Sequence, residues 1–211
     1  MIDQASEDLQ LTLPDGSVRA VPYGTIPRDV IASIGERLLR AALAVTLNGK
    51  VQDVMTPMRE SGSFRVITER EPKDAADRAA VDEYQRAHDV LRHSAAHILA
   101  TAVRRLRPDA KIGFGPSIED GFYYDFEVAQ PFTPDDLAAF ESEMKKVVAE
   151  KYPFVREEVN RTEAQKRFVD DPLKLERLSE LGDGEVISIY TDGPFIDLCR
   201  GPHVQDTSYL K

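Results

Sequence analysis

The chain has 211 residues, of which 42% are apolar and 30% charged, with a net charge of −10 at pH 7. That length suggests one large or two small domains, and no apolar run approaches the roughly 18 residues a transmembrane helix needs. The acidic balance argues against a general nucleic-acid binder, because phosphate contacts come mostly from Lys and Arg. A single cysteine cannot form an internal disulfide, which fits a reducing compartment.

The first segment, MIDQASEDLQ, is acidic and polar and does not read as a secretory signal; a cytoplasmic protein is expected. LTLPDGSVRAV then alternates apolar and polar residues around Asp15-Gly16, a hairpin signal. Pro27 suits a first helical position, and PRDVIASIGERLL is expected as one helix with Val30, Ile31 and Ile34 on its apolar face. LAVTLNGKVQDV places Asn48-Gly49, which tolerates positive φ, between two short strands, and GSFRVIT supplies a further strand. The order predicts a small β-grasp (ubiquitin-like) domain over residues 1–70.

Residues 71–211 are expected as a second, α+β domain, entered through a linker and helix at about 71–90. The long helix should run from about 75 to 107, ended by Pro108. KIGFG and GFYYDFEV suit a hairpin around Glu119-Asp120-Gly121. Thr133-Pro134 should cap and open a helix to about Lys151. YPFVREEV reads as a strand, and Thr162-x-x-Gln165 as a capping box for another helix. A short helix after Pro172, a strand in GEVISIYTDG and an irregular or strand-edge segment in PFIDLCRGPHV complete the pattern. The fold class is α+β, with a long helix packed on an antiparallel sheet.

Chemistry concentrates in two spaced pairs, His93-x3-His97 and Cys199-x3-His203, which take up the one cysteine and three of the four histidines. On a helix, positions 93 and 97 share one face, while Leu91, Ala95, Ile98 and Ala102 fall on another. The histidines should therefore look away from the aliphatic stripe, with small Ser94, Ala96 and Ala100 leaving room for a ligand; alanine at either histidine is expected to spare the fold. Each pair alone reads better as packed or surface residues than as a site. Their coincidence favours a functional cluster that either holds Zn2+ tetrahedrally or positions and activates a water. Two basic groups, Arg92, Arg104, Arg105, Arg107 and Lys111, then Lys145, Lys146, Lys151 and Arg156, read as a solvated face of mixed charge.

RHSAAHILATAV, GFYYDF and DLCRGPHV together resemble the N-terminal editing module of bacterial threonyl-tRNA synthetases. LTLPDGS and TLNGKVQD are similar to the TGS domain that precedes it there, so the resemblance spans about residues 9–207. Alanyl-type editing proteins share the paired spacing but lack the N-terminal unit and the GFYYD segment. The resemblance implies hydrolysis of Ser-tRNA(Thr), with His93, His97, Cys199 and His203 as the editing quartet. It also implies Asp197 and a lysine, matched to Lys174, among the catalytic residues, and Tyr124 as a pocket residue; Tyr123, an aromatic able to stack on the terminal adenosine, and Arg92 are further candidate substrate contacts. No cofactor is required by this reading, and zinc on the quartet is compatible with it. The implied partners are tRNA(Thr) charged with serine and the aminoacylation core and anticodon-binding domain of a full-length synthetase. The alternatives are a non-catalytic tRNA-binding or regulatory module of the same fold and a structural zinc protein.

Overall fold

A computed structural model describes residues 8–210; the first acidic residues and Lys211 lie outside the described part. The fold is α+β. The chain divides between Val90 and Leu91 into two compact units, with the short stretch Pro202–Val204 grouped with the first.

The first unit is a five-stranded sheet in the order β2-β1-β5-β3-β4. Strand β1 (Leu9–Thr12) turns at Asp15-Gly16 into β2 (Val18–Val21), and β5 (Gly62–Thr68) returns parallel to β1. Strands β3 (Ala42–Leu47) and β4 (Lys50–Gln52) meet at Asn48-Gly49, whose φ values of 52° and 79° confirm the positive-φ turn read from that dipeptide. The single helix expected after Pro27 is two, α1 (Pro27–Ile34) and α2 (Glu36–Ala41). Gly35 between them is fully extended, a conformation that interrupts the helical hydrogen-bond ladder at the residue with the least helical preference. The break lets Val30 and Ile31 of α1 and Leu39 of α2 reach one core with Leu11, Val45 and Phe64 of the sheet.

Helix α3 (Arg78–Leu106) carries the HSAAH segment in its second half. In the second unit, Ala100 of α3 packs on Ile112 and Phe195, and Val103 packs on Ala110 and Phe140. The expected hairpin around residues 119–121 is present as a short ladder of β7 (Ser117–Ile118) with β8 (Gly121–Phe122). Outside it lies a second ladder, β6 (Lys111–Ile112) with β9 (Phe126–Glu127). Helix α4 (Pro134–Glu150) opens on the Thr133 capping box. A three-stranded antiparallel sheet follows, ordered β10 (Phe154–Val159), β11 (Ile187–Asp192), β12 (Phe195–Leu198). Helices α5 (Arg161–Arg167) and α6 (Pro172–Glu180) cover it through Ala164, Phe168 and Leu178 against Ile187 and Ile189.

The cap of α5 differs from the expectation. Asn160, not Thr162, accepts from the N–H of Glu163, because the chain turns helical immediately after β10 ends. PFIDLCRGPHV is a true edge strand only as far as Leu198; beyond it the Gly-Pro pair keeps residues 199–204 out of regular structure.

Candidate functional site

Three elements of the second unit build the site. Helix α3 presents His93 and His97 one turn apart, with rings 5.4 Å from centroid to centroid. Edge strand β12 presents Asp197, whose neighbour across the ladder is Tyr190, and the chain leaving that strand presents Cys199. The loop between β6 and β7 adds Phe114, Gly115 and Pro116 to the walls. Between these walls lies a cleft of about 640 Å³ lined by His93, His97, Tyr124, Asp197 and Cys199, within the size range of small-molecule sites.

Polar contacts link these side chains in series. Cys199 Sγ lies 3.2 Å from His93 Nε2. His97 Nε2 faces Asp197 Oδ2 at 3.4 Å, and its Nδ1 faces Asp192 Oδ1 at 3.9 Å. The Tyr124 hydroxyl donates to Asp197 Oδ2 at 2.7 Å. Lys174 Nζ meets Asp197 Oδ1 at 2.5 Å and donates to the Gly113 carbonyl. Lys174 is 1% exposed, so its ammonium is compensated by one carboxylate and one carbonyl rather than by water. Its Nζ also lies 4.6 Å from the Phe114 ring centroid and 5.9 Å from that of Tyr124.

Burial and charge shift the titrations in this row. Burial alone would hold the His97 imidazole neutral; Cys199, Asp192 and Asp197 overcome it and raise its pKa to about 10. Burial pushes the Cys199 thiol up, but His97 and His93 outweigh it and bring the thiol down to about 6. Each shift favours the charged form of its group, and each group is a principal cause of the other's shift. Burial, then the Asp197 charge, raises Tyr124 well above the usual phenol range, so it stays a hydrogen-bond donor. Burial likewise raises Asp192, against the pull of His97 and Thr101.

Two expectations about the helix face are corrected. His97 is 2% exposed and packs against Phe154 and Phe195, so it belongs to the interior as much as to the cleft. Ser94, Ala96 and Ala100 are fully buried; their small size lets α3 pack closely, and none of the three lines the cleft. His93 is half-buried and faces the cleft.

Of the other residues singled out in the sequence, His203 is buried, and its backbone N–H donates to Asp53 Oδ1 at 2.6 Å. Tyr123 is half exposed and, like Arg92, is absent from the cleft lining. The basic groups are locally neutralised: Arg105 pairs with Glu143 and Glu150, Arg107 with Asp109, Lys111 with Glu127, and Lys146 with Glu143. Sequence reasoning missed Asp192 and Phe114. The glycines on either side of Phe114 were the one available signal for a chain segment shaped to a site.

Among the described residues, His93, His97, Cys199 and His203 form a group able to hold a metal ion, one ligand atom from each lying within 4.8 Å of the others. The donor types suit zinc. Tetrahedral zinc at ordinary bond lengths would bring such atoms to roughly 3.5 Å from one another. The 3.2 Å approach of Cys199 to His93 is closer than that and is the geometry of a hydrogen bond.

Residues 9–68 match the TGS domain, and residues 187–211 match the threonyl and alanyl tRNA synthetase second additional domain. The chain is 44% identical over 205 residues to the threonine–tRNA ligase of Anoxybacillus flavithermus, covering 96% of this chain and 30% of that protein. Threonine–tRNA ligase 1 of Bacillus subtilis is 44% identical over 208 residues, 98% of this chain and 30% of its own length. The corresponding ligase of Symbiobacterium thermophilum is 39% identical over 208 residues, again 98% of this chain and 30% of its own length. The chain thus spans about 30% of the length of these relatives. In domain content, and over nearly its whole length, it is similar to the N-terminal region of the bacterial threonine–tRNA ligases.

Proposed function

We propose that the second unit is a proofreading deacylase that hydrolyses Ser-tRNA(Thr), releasing serine and intact tRNA. The observation that carries this reading is the row Asp197–His97–Cys199–His93, backed by Lys174 on Asp197, in the lining of a cleft large enough for an aminoacylated nucleoside. On this reading residues 1–70 are the TGS domain, residues 71–211 the editing domain, and the partners are the charged tRNA and the remainder of a synthetase.

A synthetic site built to bind the threonine hydroxyl rejects valine well but serine poorly, because a missing methyl is worth only about 1–3 kcal/mol. A second, hydrolytic site that is too small for the extra methyl corrects the error. Cleavage of the aminoacyl ester needs an oriented water, a proton acceptor and donors for the developing oxyanion. His93 faces the cleft and accepts the proton from water. His97, held between two carboxylates, keeps a positive charge beside the reacting ester. Lys174 and Tyr124 fix Asp197 from behind, and Cys199 forms the wall against the amino-acid side chain. Phe114 is a partly exposed ring in the cleft lining and supplies a face for the unpaired terminal base to stack on. Zinc, when bound, would be held by His93, His97, Cys199 and His203 and, with all four tetrahedral positions filled, would fix these side chains rather than act on the ester; the route above needs side chains alone.

The test is release of labelled serine from Ser-tRNA(Thr), with Thr-tRNA(Thr) as control. Release well above the spontaneous rate, with the threonyl ester spared at least about tenfold, is expected. No selective release by folded protein leaves the non-catalytic module as the reading.

A further inference from the structure

Asp192 is 0% exposed, at the last residue of β11, and does not line the cleft. A carboxylate so deeply placed costs several kcal/mol unless charge and hydrogen bonds compensate it. Its Oδ2 accepts from the Thr101 hydroxyl at 2.9 Å, and its Oδ1 faces His97 Nδ1 at 3.9 Å. Gly193, with φ +62°, makes the turn that follows, and a Cβ there would stand 2.6 Å from the Tyr152 ring. The hairpin is therefore tightly set, and Asp192 points toward α3 rather than closing its own turn. Thr101 lies one helical turn beyond His97 on the same face, so helix and strand grip the imidazole from the side away from the cleft.

We infer that Asp192, held by Thr101, is a positioning residue for His97. Its carboxylate lies along the Nδ1 edge at ion-pair distance, 3.9 Å, limits the rotation of the ring, and so keeps Nε2 directed at Asp197 and the cleft. This rests on the deacylase reading for its catalytic consequence, but the ring geometry is open to measurement without it. Asp197 does the complementary work on the cleft side; the two carboxylates come from neighbouring antiparallel strands, and only one of them meets substrate.

The test uses the whole chain with Asp192→Ala, Asp192→Asn and Thr101→Val. Removing an outer partner of a working histidine costs on the order of 10–100-fold. The alanine variant should therefore lose that much in kcat on Ser-tRNA(Thr), with KM unchanged. The asparagine variant, which keeps the shape against the ring and an oxygen for the Thr101 hydroxyl, should recover most of it. Thr101→Val should fall between them. In parallel, the 15N resonance of His97 Nδ1 should report a fixed protonated nitrogen in the native and asparagine proteins and an averaged one in the alanine protein. Native kcat in folded Asp192→Ala overturns the inference, as does an equal loss in the alanine and asparagine variants together with a lowered melting temperature. Should Asp192→Ala fail to fold, the asparagine and Thr101→Val kinetics decide by the same criterion. A native chain inactive on Ser-tRNA(Thr) removes the deacylase reading, and the His97 resonance then decides the positioning role alone.

Discussion

His93 and His97 are alike in sequence and differ in circumstance, so truncating them should have different consequences. His93 is half-buried at the cleft and carries few obligations to the fold. His93→Ala should abolish deacylation and leave the melting temperature close to native. His97→Ala removes the cation between two buried carboxylates, and leaving such charges uncompensated typically costs roughly 3–5 kcal/mol. That variant should lose activity and melt substantially lower; equal melting of the two would refute the interior role given to His97. The Cys199–His97 pair also sets a pH window. The His97 pKa is raised to about 10, so its stabilising contribution is full below the ordinary histidine value and is lost as pH climbs through 10. The Cys199 pKa is lowered to about 6, so its contribution is full above the ordinary thiol value and is lost as pH falls through 6. Both are present in the range between, and stability should decline at either edge. Alkylation of Cys199 by iodoacetamide should show a midpoint near pH 6 that moves upward in His97→Ala; a native midpoint near that of a free thiol contradicts the pairing.

At the scale of elements, the loop Gly113–Gly115 shows how backbone shape sets a side-chain network. A Cβ at Gly115 would lie 2.1 Å from the Tyr124 ring, and the Gly113 carbonyl receives the Lys174 ammonium. Gly115→Ala must therefore displace Tyr124 and break its bond to Asp197. Activity should fall at least as far as in Tyr124→Phe, with a lower melting temperature that Tyr124→Phe does not share; native rates and stability in Gly115→Ala would show that the ring has room to move. Much of the element pattern was legible in sequence: Asn48-Gly49, Thr133-Pro134 and the run into Pro108 each carry a local signal strong enough to stand alone. What was not legible depended on tertiary placement. Gly35 splits a helix because two short helices reach the core better than one. Asn160 caps α5 because β10 ends immediately before it, a fact invisible in the competing Thr162-x-x-Gln165 pattern. The small residues of the HSAAH turn look the same in sequence whether they open space or fill the interior, and here they are buried and do not line the cleft.

At the scale of the whole molecule, the chain holds two units with separate cores, parted between Val90 and Leu91 inside α3. The meeting of HSAAH with the cysteine a hundred positions later followed from residue chemistry and from the family resemblance; helical and strand periodicity alone did not require it. Asp192 had no such signal, since one acid at a strand end is ordinary. Scale also bears on what substrate the second unit needs. The cleft of about 640 Å³ fits an aminoacyl nucleoside and is far too small for a duplex. The chain's net charge of −10, with its basic groups paired to local acids, gives a polyanion little general attraction. Recognition should therefore reside in the terminal adenosine and its ester. A 3′-seryl-adenosine should be hydrolysed with a kcat within about tenfold of that on Ser-tRNA(Thr), and Phe114→Ala should raise KM for both by a similar factor, because one stacked base is worth about 1–3 kcal/mol. If the nucleoside ester is inert while the tRNA ester is cleaved, contacts beyond the cleft carry the binding, and the cleft's shape does not by itself define the substrate.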